Sequence, residues 1–305
     1  MNVALITPWE NAWIPYFKQA FEARGHKFTA LKHGLPAEWD QDDLSHTSMP
    51  KPMDYDVVLH GWASGDSQPF RGAKNIVFMR RYELFDGGLS RVNWKGVSDL
   101  ICVNSWIKDV AEGVLKGNGI ETKVHLIYNG TDPKMWRYKE RAPGKKIGMA
   151  CHVHPKKNLP LAAQILGLLP DGYELHIAGQ IQDPCTAEYL NHLGTVMKRR
   201  IYLYGHIPAG SLSLWWDQMN YCLSTSISEG NPNNVIEAMA KGIKPVVHNW
   251  PGAEDQFPED MRFSTAEEAA RQIMSAEYIS SRYLRIVEEK FSLANIERVV
   301  DLALA

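Results

Sequence analysis

The sequence predicts an α/β protein of two domains, each containing a parallel sheet with helices on both faces. The chain has 305 residues, enough for two domains of roughly 150 residues each. Of these residues 45% are hydrophobic, so a large core can form. Short apolar runs alternate with amphipathic stretches along the whole chain. Because helices usually connect parallel strands, this alternation favours parallel sheets over antiparallel ones.

The first half contains six predicted strands and two predicted helices. The predicted strands are apolar runs of five or six residues: 2–7, 27–32, 56–60, 75–79, 100–104 and 124–128. The helix at 15–24 has a proline in its first turn and is followed by Gly25. The helix at 106–115 follows Asn104 and Ser105, which are typical N-terminal capping residues.

The second half repeats this organisation without repeating the sequence. Its predicted strands are short apolar runs: 146–150, 174–178, 201–204, 221–224 and 245–248. Three amphipathic or apolar segments are predicted to be helices: 159–169, 187–197 and 233–241. Turn-forming residues at 129–133 and 141–144 separate the halves. We therefore expect an N-terminal domain over 1–140 and a C-terminal domain over 141–290.

Charge and cysteine usage exclude several classes of protein. The chain has 33 basic and 35 acidic residues, without the positive excess typical of a nucleic-acid-binding protein. No apolar run reaches the ~20 residues of a membrane span, and the N-terminus lacks the pattern of a signal peptide. Three of the four cysteines lie in apolar stretches, which favours buried thiols in a reducing compartment. We expect a cytoplasmic protein without an integral membrane segment.

The segment around residues 228–239 carries the strongest local signal. A strand is predicted to end before it, and a helix is predicted to begin at about Asn233. Backbone N–H groups at a helix N-terminus attract phosphate or another anionic group. Glu237 lies one turn inside this helix, so it can face the same region as Glu229, and an ionised carboxylate can accept two sugar hydroxyls. The spacing alone is equally compatible with a capped surface helix bearing two solvated carboxylates.

Several motifs resemble the retaining GT-B glycosyltransferases of family 4, also called glycosyl transferases group 1. Glu229 and Glu237 are separated by seven residues, and Glu-Ala-Met-Ala-Lys-Gly at 237–242 and Pro-Val-Val at 245–247 complete the pattern. The resemblance covers about residues 99–300 and includes three further segments: the turn at 129–132, the loop at 155–158 and the strand at 175–179. It implies two Rossmann-like domains facing across a cleft. It also implies that 291–305 form a terminal helix packed on the N-terminal domain.

The resemblance also assigns roles in binding a nucleotide sugar. It implies that Glu229 contacts the donor sugar, that Glu237 contacts the ribose and that Lys157 neutralises the diphosphate. The family arginine five residues before the lysine is replaced by His152, so either this histidine is protonated when a diphosphate binds or Lys156 substitutes. The remaining expected donor-binding residues present main-chain N–H groups: Gly230, Asn231, Asn233 and Asn234.

Acceptor-binding residues are expected at strand ends of the N-terminal domain. Where the family often has paired glycines after the first strand, this chain has Thr-Pro-Trp-Glu-Asn-Ala-Trp at 7–13, and indole rings stack well on sugars. One arginine of an adjacent pair could reach a phosphate, or it could pair with Glu83 or Asp86. The acceptor candidates are Trp9, Trp13, His60, Trp62, Arg80 and Arg81.

No metal site is expected. Asp54-Tyr55-Asp56 resembles the metal-binding motif of another glycosyltransferase fold, but it precedes its predicted strand, which favours a role at the strand entry. His152 and His154 lack a third ligand at recognisable spacing.

The family resemblance implies a metal-independent transfer of sugar, with retention, from a nucleotide-sugar donor, expected to be a UDP- or GDP-sugar, to an acceptor hydroxyl. The expected acceptor is a glycan, a lipid-linked sugar or a small molecule, since the balanced charge argues against a modified DNA base. Two alternatives remain: a non-catalytic two-lobed protein that binds a sugar or nucleotide, and a sugar-nucleotide epimerase with the same fold. The sequence leaves the oligomeric state open.

Overall fold

The structure is a computed structural model that describes residues 1–7, 13–31, 55–64, 67 and 69–305. The chain divides into two units. Unit 1 comprises Met1–Gly130 together with Leu293–Ala305, and unit 2 comprises Thr131–Ser292. The sequence predicted that the first domain ends at residue 140 and that the terminal segment begins at residue 291.

Unit 1 contains a six-stranded parallel sheet. Its strands are β1 (Asn2–Ile6), β2 (Lys27–Leu31), β3 (Val57–His60), β4 (Lys74–Met79), β5 (Val97–Cys102) and β6 (Lys123–Leu126). They are arranged in the order β2-β1-β3-β4-β5-β6, and every pair of neighbours is parallel. The central strands are almost entirely apolar because helices cover both faces of the sheet.

The first four helices of the chain belong to unit 1: α1 (Ile14–Ala23), α2 (Arg81–Phe85), α3 (Gly88–Arg91) and α4 (Ser105–Gly117). The Asn104 side chain accepts a hydrogen bond from the Ile107 N–H at 2.8 Å, which explains where α4 begins. Apolar residues of α4 pack on one face of the sheet, and those of α1 pack on the other.

Unit 2 contains a second six-stranded parallel sheet. Its strands are β7 (Lys146–Ala150), β8 (Glu174–Ala178), β9 (Arg200–Leu203), β10 (Tyr221–Ser224), β11 (Lys244–His248) and β12 (Arg262–Phe263). Their order is β12-β11-β10-β7-β8-β9, with all neighbours parallel. The predicted α/β class with parallel sheets is therefore confirmed.

Six helices accompany this sheet: α5 (Leu159–Leu168), α6 (Pro184–Val196), α7 (Ala209–Trp216), α8 (Asn233–Ala240), α9 (Ala266–Met274) and α10 (Ser280–Lys290). Helices α7, α9 and α10 are absent from the sequence-based prediction. The last helix, α11 (Ala294–Leu304), belongs to unit 1 and packs beside α1, where Arg24 pairs with Glu297 and Asp301. Among the described helices, none has the length and apolar character that crossing a membrane requires.

The strand order places a crevice at the carboxyl edge of each sheet. In unit 2 the chain proceeds from β7 to β8 on one side, and later returns to β10 on the other side of β7. In unit 1 the strand β1 has the same position between β2 and β3. Ligands of open α/β sheets bind where the strand order reverses in this way. The loops after these strands are therefore the first places to search for a site.

Candidate functional site

Lys157 and Glu229 form an ion pair at the carboxyl edge of the unit 2 sheet. Lys157 lies in the loop after β7, at the end of a short 3-10 turn, and Glu229 lies in the loop after β10. The Lys157 ammonium group donates a hydrogen bond to Glu229 Oε1. The side chains are only 16% and 12% exposed, respectively. The structure thus brings together two predicted site residues that are distant in sequence.

Main-chain contacts fix the two loops against each other. The Thr225 hydroxyl donates to the Lys157 carbonyl at 2.7 Å. The Ile227 N–H donates to the Lys156 carbonyl at 3.1 Å. Within the first loop, the His154 ring accepts a hydrogen bond from the Lys156 N–H at 3.1 Å. These bonds set the backbone positions from which Lys157 and Glu229 meet.

The electrostatics of this pair favour two charged groups. Burial acts to raise the pKa of Glu229, but the charge and hydrogen bond of Lys157 outweigh it, so the pKa lies below its usual value. The pKa of His152 is lowered by burial and then by the nearby positive charge of Lys157, together with His206. Glu229 is therefore ionised at neutral pH, while His152 is mostly uncharged.

A cavity of about 360 Å³ lies beside the ion pair. Residues after β7, β8, β9 and β10 line it, together with the first residues of α8; they include His152, Lys157, Gly179, His206, Glu229, Asn231, Asn233 and Asn234. Gly179 allows a close backbone approach, because an added Cβ would lie 2.0 Å from the Cys151 carbonyl oxygen. The cavity therefore combines one cation, one carboxylate and the N-terminus of a helix, which suits a phosphorylated ligand.

Glu237 has a different environment from Glu229. It lies on α8, is half-buried and is not among the residues that line this cavity. Burial alone raises its pKa to about 8. In the part of the chain that the structure describes, its carboxyl group has no hydrogen-bond or ion-pair partner. Lys156 also lies outside the cavity lining.

Sequence reasoning missed Gln256, which supports the loop that carries Glu229. Gln256 is fully buried. Its side-chain amide donates to the carbonyls of Gly230 and Gly252 at 2.8 and 3.1 Å, respectively, and accepts a hydrogen bond from Asn231 Nδ2 at 2.8 Å. Two of these hydrogen bonds, with Gly230 and Asn231, hold the loop that carries Glu229, and the third, to Gly252, fixes the amide itself. Gln256 lies some 20 residues after the segment that carries Glu229 and Glu237, and no sequence pattern indicated this contact.

The acceptor candidates of unit 1 occupy different environments. Arg80 lies between the rings of Trp13 and Trp62, whereas Arg81 lies over Phe85. His60 is only 2% exposed, and its ring hydrogen-bonds to the Asn75 side chain at 3.3 Å, so its burial argues against a contact with an acceptor. The predicted site residue Trp9 lies outside the described residues.

Glu83 and Asp86, the expected ion-pair partners of these arginines, have other contacts. Glu83 Oε2 accepts a hydrogen bond from the backbone N–H of Arg80 at 3.2 Å. Asp86 contacts Arg91 at 3.4 Å. Among the described residues, the Arg80 guanidinium forms no ion pair within 4 Å. The structure therefore does not support the ion-pair alternative for Arg80.

Residues 144–276 match the sequence model of the family described as glycosyl transferases group 1. The resemblance to this family is confirmed over that segment. No match was found among curated protein sequences. Among the described residues, no group of three or more histidine, cysteine, aspartate or glutamate side chains is arranged to hold a metal ion.

Solved structures of glycosyltransferases resemble the whole chain. The complex of Anabaena HepE with UDP has a TM-score of 0.75 at 14% identity, covering 100% of this chain and 99% of HepE. Sucrose-phosphate synthase from Thermosynechococcus elongatus has a TM-score of 0.72 at 14% identity, covering 99% of this chain and 98% of the synthase. These likenesses confirm the predicted GT-B fold.

The TarM glycosyltransferase structure from S. aureus is a longer relative in fold. It has a TM-score of 0.67 at 14% identity and matches 82% of this chain. The matched part spans 55% of the TarM chain. At such identities the comparison shows the fold alone.

Proposed function

We propose that this protein is a glycosyltransferase that moves a sugar from a nucleotide-sugar donor to an acceptor hydroxyl, with retention of anomeric configuration. The observation that carries this proposal is the ion pair of Lys157 and Glu229 beside the cavity at the carboxyl edge of the unit 2 sheet. The match of residues 144–276 to glycosyl transferases group 1 supports it.

In the proposed donor complex, the diphosphate takes the place of Glu229 as the partner of Lys157. Backbone N–H groups at the start of α8, near Asn233 and Asn234, bind the same diphosphate. Glu229 is then released to accept hydrogen bonds from the donor sugar, for which its ionised state is suited. The unpaired carboxyl group of Glu237 receives the ribose hydroxyls.

The reaction breaks the bond between the anomeric carbon and the diphosphate oxygen, and the electron pair stays with the diphosphate. Lys157 and the N-terminus of α8 stabilise the negative charge that develops there. The acceptor hydroxyl attacks from the face that the diphosphate leaves, and its proton passes to a departing phosphate oxygen. This sequence retains the anomeric configuration and requires neither a covalent carboxylate intermediate nor a metal ion.

His152 supplies a further positive charge when the diphosphate is present. Its pKa is lowered by burial and by Lys157, so the free site holds a mostly neutral imidazole. An arriving diphosphate reverses the local charge and favours the protonated ring. His152 thereby replaces the arginine found at this position in the family.

The proposed donor is a UDP- or GDP-sugar. HepE structures in complex with UDP and with UDP-glucose support a nucleotide with a diphosphate. Unit 1 is proposed to bind the acceptor through Trp13, Trp62 and Arg80. The acceptor classes and the cytoplasmic location predicted from the sequence remain predictions.

A donor screen tests this function directly. Each of UDP, GDP, ADP and CMP is added to the full chain, and the shift in Tm is measured, because a ligand stabilises the state that it binds. The expected result is stabilisation by UDP or GDP, and slow release of that nucleotide from its sugar conjugate. The Glu229→Gln variant, which removes one charge of the ion pair, is expected to lose the turnover.

Three results would contradict the proposal. Absence of stabilisation by any of the four nucleotides would remove the donor site. Binding without release of nucleotide, with any hydroxyl acceptor added, would favour the two-lobed binding protein. Conversion of the sugar nucleotide to an isomer without an acceptor would favour the epimerase.

A further inference from the structure

Arg80 is enclosed by aromatic rings at the carboxyl edge of the unit 1 sheet. It directly follows β4, while Trp62 lies shortly after β3 and Trp13 directly precedes α1. The guanidinium carbon lies 5.0 Å from the ring centre of Trp13, 4.8 Å from that of Trp62 and 5.7 Å from that of Phe78. Cation–π attraction to rings at these distances stabilises the guanidinium and displaces water from its surroundings.

Among the described residues, most of the hydrogen-bonding capacity of this guanidinium is unused. Arginine has five N–H donors. Arg80 donates one hydrogen bond, from Nη1 to the Gly61 carbonyl. No other acceptor for it is present in the described ranges, and Glu83, the nearby carboxylate, bonds to the Arg80 backbone instead. A cation with unused donors and without a direct counter-ion is costly in such a place unless a ligand completes it.

Its geometry indicates what that ligand contains. The guanidinium is planar, and its N–H donors lie along its edge. Among the described residues only one of these donors is bonded, to the Gly61 carbonyl, so the others remain for a ligand. That edge matches the two oxygens of a carboxylate or a phosphate, with which arginine forms paired, charge-assisted bonds. A neutral hydroxyl offers neither the charge nor the second oxygen. An ammonium group in place of the guanidinium lacks the planar edge altogether.

We propose that Arg80 recognises an anionic group, phosphate or carboxylate, on the acceptor sugar, while Trp13 and Trp62 hold its guanidinium in place. This inference rests on the proposed function, because it assigns a chemical class to the acceptor of that reaction. The acceptor is accordingly a sugar phosphate or a uronic acid rather than a neutral sugar.

Calorimetric titration of the full chain compares three probes: glucose 6-phosphate, glucuronate and glucose. One of the two anionic sugars is expected to bind at least about tenfold more tightly than glucose, because a pair of charge-assisted hydrogen bonds to Arg80 adds to its binding free energy. The preferred probe tells a phosphate from a carboxylate. Equal affinity for all three probes, or no binding by any, would overturn the inference.

Arg80→Lys keeps the positive charge and removes the planar edge. Arg81→Lys makes the same change at the next residue, which lies over the Phe85 ring. Arg80→Lys is expected to lower the affinity for the preferred anionic sugar about tenfold, and Arg81→Lys is expected to lower it by less than about twofold. Equal effects of the two would contradict the assignment to Arg80. Unchanged UDP binding by Arg80→Lys shows that the variant is folded.

Chemical labelling of the unaltered protein provides a test that does not depend on a variant. Phenylglyoxal reacts with guanidinium groups, and mass spectrometry locates the label. The preferred anionic sugar is expected to protect Arg80 and to leave the labelling of Arg81 unchanged. Labelling of Arg80 at the same rate with and without the sugar would refute the inference.

UDP separates this inference from the function on which it rests. If UDP binds while no anionic sugar does, the donor site stands and the inference about Arg80 falls. If an anionic sugar binds through Arg80 while no nucleotide binds, the inference stands as a binding site and the proposed transferase falls. If UDP displaces the anionic sugar competitively, Arg80 recognises the donor phosphate, and the assignment to the acceptor is wrong.

Discussion

Both units hold a cation at the carboxyl edge of their sheets, but they stabilise it in different ways. In unit 2, Lys157 is paired with Glu229 beside a cavity of about 360 Å³. In unit 1, Arg80 lies among aromatic rings, and the cavity that it lines has only about 20 Å³. The Lys157 cation is therefore neutralised by a carboxylate, whereas the Arg80 cation is stabilised by cation–π contacts with aromatic rings.

This difference has consequences for the ligands that each edge accepts. A ligand of Lys157 must compete with Glu229, so it needs an anion for the lysine and hydroxyls for the released carboxylate. Among the described residues, no carboxylate pairs directly with the Arg80 guanidinium, so we expect a single anionic group to be enough for a ligand of Arg80. The carboxyl edges of the two sheets thus hold cations in different environments, and substitutions at either cation test whether the two edges bind different ligands.

Lys157→Ala is expected to have the largest effect. The variant removes the cation that stabilises the departing diphosphate, so turnover is expected to fall about 100-fold or more, as for other groups that stabilise developing charge. UDP affinity is expected to fall about tenfold, which is what loss of a charge-assisted bond costs. Nucleotide release and calorimetry measure these two quantities.

The control for this prediction is Lys134→Ala, an exposed lysine on the turn at Pro133–Trp136. It is expected to leave both quantities unchanged. A Lys157→Ala protein that is folded by circular dichroism and turns over at the normal rate would exclude this lysine from the diphosphate site. The proposed role of the ion-paired cation of unit 2, and with it the comparison between the two units, would then fail.

Glu237→Gln is expected to change how UDP binding depends on pH. The pKa of Glu237 is raised to about 8 by burial, so the carboxyl group is largely protonated at pH 7 in the free protein. If ribose hydroxyls bind the ionised form, UDP binding releases a proton, and affinity increases as the pH rises towards 8. The variant is expected to bind UDP about tenfold more weakly, without this pH dependence.

The same residue makes a prediction for stability. Its pKa is higher in the folded state than the ordinary 4.5, so the folded state binds the proton more tightly than the unfolded state does. The stabilisation is fully present below the ordinary pKa and is lost as the pH rises through about 8. The difference in Tm, Glu237→Gln minus the unaltered protein, is measured between pH 5 and pH 9. It should increase as the pH rises towards about 8. A constant difference would refute the raised pKa.

Gln256→Ala is expected to have an intermediate effect that is specific to the sugar. Without the amide, Gly230 and Asn231 lose their buried partner, and these residues are predicted to lie near the donor sugar. Affinity for a sugar conjugate of the nucleotide that stabilises the protein in the donor screen is expected to fall about fivefold, and affinity for the nucleotide alone by less than about twofold. Equal losses for both ligands would indicate a merely structural role.

Gln256→Glu is the matched variant for this position. It keeps the shape of the side chain, but its ionised form cannot donate to the carbonyls of Gly230 and Gly252. The protonated form restores one donor, so sugar-nucleotide affinity is expected to recover as the pH falls. Failure to recover at low pH, in a protein that remains folded, would contradict the proposed support of the loop.

The fold was largely predictable, because strands buried on both faces leave a strong signal. The predicted strands at 146–150, 174–178 and 221–224 agree with the structure residue for residue. Helix α9 was missed, although Thr265 and Glu268 form a capping box whose spacing could have been recognised. This helix also has a clear apolar face, formed by Ala269, Ala270 and Ile273, so the helical period was present in the sequence and was overlooked.

The site was predictable only as far as its motifs extend. The pair of Lys157 and Glu229 could be anticipated from the family resemblance, because the resemblance assigns both to the donor. The bond between them in the free protein, and the support from Gln256, depend on how loops return to the sheet edge. No motif indicated the ring contacts of Arg80, since they combine residues from three separate loops.

Lys156→Ala is expected to have the smallest effect in the donor site, and it tests which lysine carries the function. Lys156 does not line the cavity, but its charge contributes to the low pKa of Glu229. Its loop contact with Ile227 uses the backbone carbonyl, which the substitution retains. UDP affinity is expected to fall about twofold at low salt and to change little above about 0.15 M salt, where exposed charges are screened over about 8 Å. A loss as large as that of Lys157→Ala would instead show that Lys156 replaces the family arginine. The diphosphate contact that we propose for Lys157 would then be shared by two lysines.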